Sequence, residues 1–278
     1  MLSISSLTCL VIGNGPSARS LPGAPVDICI TFNRREPPCA VKWHLDVISC
    51  RSGGAAGSKI EITGEGPEGF ADRLREAALR TAYKHESALG CWPSTGFSTL
   101  HGLWECDIVV KARGIGFDPS LSRDRHVGPR SAPPAMYHNW LGERRLSFAR
   151  WLTAPPAAWD WPLMQPSITP PQHSSQVLRS PDLLIALASA RATRRLDDLA
   201  KILTVPLRAE PAYISAKASH IEALEQCFHL ARDVRETPNW WLYDEYGSVI
   251  IDTLAQRIRA CQSALFAAAF MRPTTPAG

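Results

Sequence analysis

Apolar residues in the first part of this chain form short runs that end at glycine or asparagine. Residues 8–13 read Thr-Cys-Leu-Val-Ile-Gly, residues 26–32 read Val-Asp-Ile-Cys-Ile-Thr-Phe before Asn33, and residues 40–48 form a third run. Short apolar runs bounded by turn residues are typical of strands buried on both faces, as in a parallel sheet. The pattern therefore predicts three buried strands. The glycines of residues 53–69 predict a loop after them.

Further along the chain, the spacing of apolar residues becomes that of helices. Leu74, Ala78 and Ala82 share one stripe of a predicted helix over residues 70–89, and Gly90 ends it. The next predicted elements are a helix at residues 95–105, a strand at 107–111 and an irregular, glycine- and proline-rich loop at 113–135. Alternating strands and helices predict the α/β class, with a Rossmann-like, mostly parallel sheet flanked by helices.

The last part of the chain has a different composition. Prolines and tryptophans dominate residues 153–174, and proline is excluded from helix interiors and central strands. Beyond them, apolar residues at helical spacing predict helices at residues 181–203, 216–234 and 249–270. We therefore predict a Rossmann-like domain over residues 1–152, a linker over 153–174 and a C-terminal α-helical subdomain over 175–278.

Charge and composition narrow the possible partners. The net charge of +4 comes from interspersed residues, which suits a small anionic ligand better than a nucleic acid. The eight cysteines form no CxxC pairs, so structural zinc is not expected. The N-terminus lacks a basic leader, and the longest apolar run, near residues 264–271, is shorter than the roughly 20 residues that span a bilayer. We therefore expect a cytoplasmic protein without a transmembrane segment.

A glycine-rich turn follows the first predicted strand. Gly13-Asn14-Gly15-Pro16-Ser17-Ala18 fits the pattern G-x-G-x-x-A, which in dinucleotide enzymes turns beneath a pyrophosphate. Those enzymes carry an acidic residue about 20 residues later, for the ribose hydroxyls. This chain has Asn33-Arg34-Arg35 there instead. A flavin- or nicotinamide-binding site and a purely structural turn both stay open at this point.

Three stretches, taken in order, resemble the L, S and VS motifs of sialyltransferases, as in a bacterial sialyltransferase-like protein. They are Cys9–Ser17 continuing to Phe32-Asn33-Arg34, Pro93-Ser94-Thr95-Gly96 continuing to Cys106-Asp107, and His138-x-x-x-x-Glu143. The resemblance covers roughly residues 8–48 and 91–152. The third family motif, a His/Tyr-rich patch before VS, has no clear match, and motifs L and S are closer together than in the animal enzymes.

The resemblance implies a CMP-sugar as the donor substrate, with no cofactor and no metal. The chain has no Asp-x-Asp, in agreement with a metal-independent site. The residue types also agree with a metal-independent site, because neutral amides and the start of a helix can bind a phosphate without a metal. The residues implied in nucleotide or donor binding are Gly13, Asn14, Gly15, Pro16, Ser17, Asn33, Ser94, Thr95, Gly96 and Tyr137.

The resemblance also implies a catalytic residue. The family's VS histidine takes the proton from the acceptor hydroxyl, which implies this role for His138; imidazole suits it because its ordinary pKa is about 6.5. We expect Glu143 to orient this segment or cap the next helix. His126 and Arg125 are candidates for supporting the leaving group. Cys9 and Cys106 match cysteines that secretory-pathway members pair, so we expect them on neighbouring strands as close but free thiols.

These observations together lead to one expected function and two alternatives. The expected function is an inverting, metal-independent glycosyltransferase that moves sialic acid, or a related keto sugar acid, from a CMP donor to a glycan hydroxyl. One alternative is an FAD- or NAD-binding oxidoreductase that uses the glycine turn. The other is a non-catalytic nucleotide-binding accessory module of the same fold.

Overall fold

The computed structural model divides the chain into two compact units. The first comprises Met1–Phe117 and Ala149–Gln165, and the second comprises Asp118–Phe148 and Pro166–Gly278. The structure describes residues 7–15, 25–33, 35–38, 40–50, 57–106, 108–121, 137–165, 222, 225, 228–229 and 244–271.

The first unit is built on a six-stranded sheet of order β4-β3-β2-β1-β5-β6. Its strands are β1 (Thr8–Ile12), β2 (Ile28–Phe32), β3 (Trp43–Cys50), β4 (Lys59–Glu65), β5 (Val109–Arg113) and β6 (Trp159–Asp160). All neighbouring pairs are parallel except β3 and β4. The apolar residues of β1 and β2 are buried on both faces of the sheet, as their continuous apolar runs predict. The predicted α/β class with a mostly parallel sheet is confirmed.

Two helices of the first unit pack closely against each other. They are α1 (Phe70–Leu89) and α2 (Thr95–Leu103). A Cβ added at Gly102 of α2 would lie 2.8 Å from the backbone nitrogen of Ala78 on α1, so only glycine permits this approach. The predicted helix over residues 70–89 is confirmed, with Gly90 in a left-handed conformation at its C-cap.

Residues 53–69, predicted as a loop, contain strand β4, so that prediction is wrong over residues 59–65. β4 is antiparallel to β3, with Leu45 opposite Gly64 and Ser49 opposite Ile60. Apolar Ile60 is buried, while Lys59 and Glu61 on either side of it are exposed. This period-2 alternation is the sequence signal of an edge strand, and the surrounding glycines obscured it.

The described part of the predicted linker, residues 153–165, differs from an extended connection. Trp159–Asp160 forms β6, which pairs in parallel with β5, and a 3₁₀ turn follows at Pro162–Met164. Trp161 is almost fully buried and donates from Nε1 to the carbonyl oxygen of Ile115 at 2.8 Å. Proline is tolerated here because β6 is a two-residue edge strand and Pro162 begins the 3₁₀ turn.

In the second unit, a long helix holds the segment that follows Phe117. Helix α4 (Glu245–Phe270) extends the predicted helix at 249–270 by one turn at its N-terminus, where Asp244 caps it. Asp252 of α4 accepts a hydrogen bond from the backbone of Leu121 at 2.6 Å, and Gln256 donates to the carbonyl of Pro119 at 2.6 Å. No helix in the described ranges is long and apolar enough to span a membrane.

Helix α3 (Trp140–Thr153) is shared between the two units: its residues up to Phe148 belong to the second unit and those from Ala149 to the first. The predicted domain boundary at residue 152 therefore differs from this division. The predicted helix at 181–203 lies outside the described residues, as does almost all of that at 216–234.

Candidate functional site

The strand order reverses at β1, because the chain adds β2 to β4 on one side of β1 and β5 and β6 on the other. Strand β2 lies on one side of β1, and β5, much later in the chain, lies on the other. Open α/β sheets bind ligands in the crevice at such a switch point, outside the carboxyl ends of the strands. The segments at this edge are Gly13-Asn14-Gly15 after β1, Asn33 after β2 and Gly114 after β5.

The glycine turn is packed onto the end of β5. The amides of Gly13 and Gly15 donate to the carbonyl oxygens of Arg113 and Gly114, at 2.8 and 2.9 Å. A Cβ added at Gly13 would lie 2.3 Å from the oxygen of Gly114, and one at Gly15 would lie 2.8 Å from it. Glycine is therefore needed here for close backbone approach. Both amides are bonded to the protein, so they are not free to bind a phosphate as the G-x-G-x-x-A pattern suggested.

Two predicted nucleotide-binding asparagines lie at the ends of adjacent parallel strands. Val11 is opposite Ile30 in the β1–β2 pair, and continuing that register brings Asn14 level with Asn33. Both residues are exposed. Asn33 has a φ of 63°, a left-handed conformation that asparagine tolerates better than most residues. Asn33 thus ends β2 and is exposed at the edge of the sheet where β1 also ends.

Arg35 contacts the turn after β1, although it belongs to none of the motifs found in the sequence. Its Nη1 donates to the carbonyl oxygen of Gly13 at 2.8 Å and to Oδ1 of Asn14 at 3.4 Å. A positive charge therefore lies against the turn after β1. The signal in the sequence was the basic Asn33-Arg34-Arg35 segment at the place where dinucleotide enzymes carry an acid.

The start of α2 lies close to the glycine turn. Ser94 is the N-cap, and its Oγ accepts from the backbone nitrogen of Phe97 at 3.2 Å. A Cβ added at Gly96 would contact Cγ2 of Ile115 at 3.7 Å, while the position of a Cβ at Gly13 meets Cγ1 of the same side chain. Residues of the L-like and S-like motifs thus both lie against the side chain of Ile115.

The electrostatics of the α2 start favour an anion. Thr95 and Gly96 are partly exposed, and the first amides of a helix have no partner within the helix. No acidic side chain lies in the first turn of α2, so the partial positive charge of the helix N-terminus is not offset there. The hydroxyl oxygen of Ser94 is engaged as a cap, which is the ordinary role of a serine at this position.

Cys9 lies on β1, but Cys106 lies in the turn after α2, three residues before β5 begins. The expectation that Cys106 lies on a strand is therefore wrong. Its backbone nitrogen and Sγ instead bond to the end of α2, at Leu103 and Gly102. Both thiols are free. Burial, with smaller contributions from Cys29 and Cys106, raises the pKa of the Cys9 thiol well above its usual range, so it stays protonated at neutral pH.

The VS-like segment belongs to the second unit and begins helix α3. Asn139 is the residue that caps this helix, since its Oδ1 accepts from the backbone nitrogen of Gly142 at 2.9 Å. The capping role considered for Glu143 therefore falls to Asn139, a preferred N-cap residue type that the sequence analysis overlooked. Glu143 is fully buried in the first turn.

His138 immediately precedes this cap. The residue is half-buried, and its ring packs edge-to-face on Trp140 with the ring centroids 5.1 Å apart. Tyr137 is 44% exposed. Because His138 belongs to the second unit and the glycine turn to the first, the general-base role of His138 stays a prediction.

Buried charges link α3 and α4 within the second unit. The Nε of Arg145 donates to both oxygens of the buried carboxylate of Glu225, at 3.0 and 3.1 Å, and Gln262 donates to the same carboxylate. Burial lowers the pKa of Arg144 to about 10, with a further lowering from Arg259 and an opposing effect of Asp118. Arg144 and Arg145, which follow Glu143, therefore take part in the packing of the second unit.

The remaining predicted site residues, Pro16, Ser17, Arg125 and His126, lie outside the described residues. Within the part of the chain that the structure describes, no three His, Cys, Asp or Glu side chains come together as metal ligands would. No family model, curated protein or solved structure matches the chain.

Proposed function

We propose that this chain is a metal-independent glycosyltransferase that moves sialic acid, or a related keto sugar acid, from a CMP donor to a glycan hydroxyl. The observation that carries the proposal is the convergence of the glycine turn, Asn33 and the start of α2 at the switch point of the sheet. This edge is where α/β sheets of this topology bind nucleotides. The resemblance of three motifs, in order, to those of sialyltransferases supports the choice of a CMP-sugar donor and a glycosyl transfer.

The donor would be held by neutral amides and positive charge. Asn14 and Asn33 offer exposed carboxamides, Arg35 brings a guanidinium to the turn, and the start of α2 favours a negative group. Together these groups suit a phosphate monoester or a sugar carboxylate. The amides of Gly13 and Gly15 support the turn rather than the ligand, because they are bonded to β5.

In the proposed reaction, His138 takes the proton of the acceptor hydroxyl. The acceptor oxygen forms the new bond to the anomeric carbon while the bond from that carbon to the phosphate oxygen breaks. The electron pair of the broken bond leaves with CMP, and attack from the opposite face inverts the anomeric centre. Histidine suits the first step because its ordinary pKa lies near neutral pH.

Calorimetry in EDTA tests the donor assignment. The purified protein is titrated with CMP, UDP, NADPH and FAD. We expect CMP to bind without divalent metal, because the described groups at this edge are amides, a helix start and an arginine. Binding of CMP that disappears in EDTA, or a clear preference for UDP, would refute the donor assignment. A preference for NADPH or FAD would identify the oxidoreductase instead.

Replacement of His138 tests the chemical step. General bases contribute about 10²–10⁴-fold to rate, so His138→Ala should lose most of the transfer from CMP-sialic acid while its affinity for CMP changes little. His85→Gln on α1 removes a histidine elsewhere and serves as the control. A fully active His138→Ala protein would refute the base assignment. CMP binding with no transfer or donor hydrolysis in the unmodified protein would indicate the accessory module.

A further inference from the structure

Arg35 is the charged side chain that the structure brings to the glycine turn. Its Nη1 reaches both the carbonyl oxygen of Gly13, at 2.8 Å, and Oδ1 of Asn14, at 3.4 Å. Its Nε and Nη2 form no hydrogen bond to any described residue. Arg35 is partly buried, while Asn14 is exposed. The guanidinium therefore contacts both the backbone of the turn and the side-chain oxygen of Asn14.

This contact determines which way the Asn14 carboxamide faces. A guanidinium has only N–H donors and no acceptor, so the atom of Asn14 that faces Nη1 must be the oxygen. The amide nitrogen of Asn14 then points away from Arg35. A ligand at the exposed side meets an N–H donor, which recognises a phosphate oxygen or a base carbonyl but not another donor.

The backbone of Arg35 is held by a polar group on strands β2 and β3. Thr31 of β2 lies opposite Asp46 of β3, and both are buried. The hydroxyl of Thr31 lies 2.8 Å from the carbonyl oxygen of Arg35 and 3.0 Å from Oδ1 of Asp46, and the backbone nitrogen of Arg35 donates to that Oδ1 at 3.4 Å. His44 Nε2 lies 2.8 Å from the Thr31 hydroxyl. The backbone of Arg35 is thus held by β2 and β3, while its side chain reaches the turn after β1.

We propose that Arg35 is a positioning residue of the donor site, which orients the Asn14 amide towards acceptor groups of the ligand. The inference rests on the proposed function, since it assumes that a nucleoside monophosphate binds at this edge. It goes beyond that function because it names the residue that turns the N–H group of Asn14 towards the ligand. The sialyl-like motifs do not include this residue. The guanidinium also adds a positive charge, which favours a phosphate-bearing ligand over the free nucleoside.

A double-mutant cycle tests this coupling. CMP affinity is measured by calorimetry for the unmodified protein, Arg35→Met, Asn14→Ala and the double variant. Because hydrogen bonds that involve a charged group contribute substantially to binding, each single change should weaken CMP binding roughly tenfold or more. If Arg35 acts mainly by orienting Asn14, Arg35→Met should weaken CMP binding much less in the Asn14→Ala background, where only its charge is lost, than in the unmodified protein. Single effects that multiply in the double variant would overturn the positioning role.

Two further variants test whether the effect is specific to a charged donor at position 35, and a stability measurement tests for misfolding. Arg35→Lys keeps a donor and the charge, so it should recover part of the lost affinity. Arg75→Ala removes an equal charge from an exposed ion pair on α1 and should leave CMP affinity unchanged. Thermal unfolding of Arg35→Met is measured alongside, and a folded variant with unchanged CMP affinity would overturn the inference. Failure of the unmodified protein to bind CMP would instead refute the proposed function.

Discussion

Single residues at the carboxyl edge of the sheet combine structural and ligand-facing roles. Gly13 and Gly15 are glycine because the backbone of Gly114 leaves no room for a side chain. Asn33 takes a left-handed conformation that ends β2. Asn14, at the same edge, is exposed and held by Arg35. A motif read from the sequence therefore mixes residues fixed by packing with residues available to a ligand.

Gly13→Ala should destabilise the first unit. The added Cβ would lie 2.3 Å from the carbonyl oxygen of Gly114 and 2.7 Å from the side chain of Ile115, so backbone must move. Overpacking against backbone typically costs about 1–3 kcal/mol of the free energy of unfolding. Urea unfolding measures the loss. Gly66→Ala is the control, because its Cβ would make an ordinary contact with Leu45 at 3.4 Å; equal effects of the two changes would contradict the steric account.

At the level of secondary-structure elements, helix α2 connects the candidate site to the packing of the first unit. Its start lies next to Ile115, and its last turn packs on α1 through Gly102. His101 of the same last turn stacks on Phe97 of the first turn, with the ring centroids 4.0 Å apart. The same nine-residue helix therefore couples the anion-favouring N-terminus to the packing of the first unit.

His101 should make the stability of the first unit sensitive to acid. Burial, with smaller contributions from Arg150, His85 and Lys84, lowers the pKa of this imidazole well below its ordinary value. Arg150 Nη1 lies 3.4 Å from Nδ1. The unfolded chain takes up a proton below about pH 6.5, whereas the folded state resists it, so the free energy of unfolding should fall as pH falls below that value.

Urea unfolding at pH 7.5 and pH 5.0 tests this sensitivity. In His101→Phe, which keeps an aromatic ring at the stacked position, the loss of stability between the two pH values should shrink. His85→Gln should have a smaller effect, because the pKa of His85 is lowered at a half-buried position. An unchanged pH dependence in His101→Phe would exclude His101 as the main acid-sensitive group.

At the scale of the whole molecule, residues distant in sequence complete the first unit. β6 adds to the sheet beside β5, and Trp161 lies among aromatic rings that include Phe117, Trp104 and Trp151. The segment predicted as a linker is, over its described part, a structural element of the first unit. Tryptophan and proline together are compatible with an edge strand and a 3₁₀ turn as well as with a linker.

Trp161→Ala should therefore strongly destabilise the first unit. The change removes an almost fully buried side chain and its hydrogen bond to the carbonyl of Ile115, and such changes cost about 3–5 kcal/mol. Differential scanning calorimetry measures the fall in unfolding temperature. Leu152→Ala, at a 40% exposed position nearby in the sequence, should change it little. A small effect of Trp161→Ala would favour the linker interpretation.

Local elements with periodic and uninterrupted signals were predictable from the order of the residues alone. The apolar runs identified β1, β2 and β3, and helical spacing with a terminal glycine identified α1. Ser94 was correctly placed at the start of α2 because capping depends on a few neighbouring residues. The α/β class followed from the alternation of these elements.

Features that depend on contacts between distant segments were not predictable locally and emerge from the folded chain. The amides of the glycine turn are used by β5, about a hundred residues away, and no local pattern states this. Arg35 reaches Asn14 only because β1 and β2 are adjacent and parallel. The two edge strands likewise depend on their neighbours: β4 pairs with β3, and β6 pairs with β5. Short edge strands have weak local signals. Sequence periodicity reports which residues are buried, whereas the partner of each polar group depends on how the chain is folded.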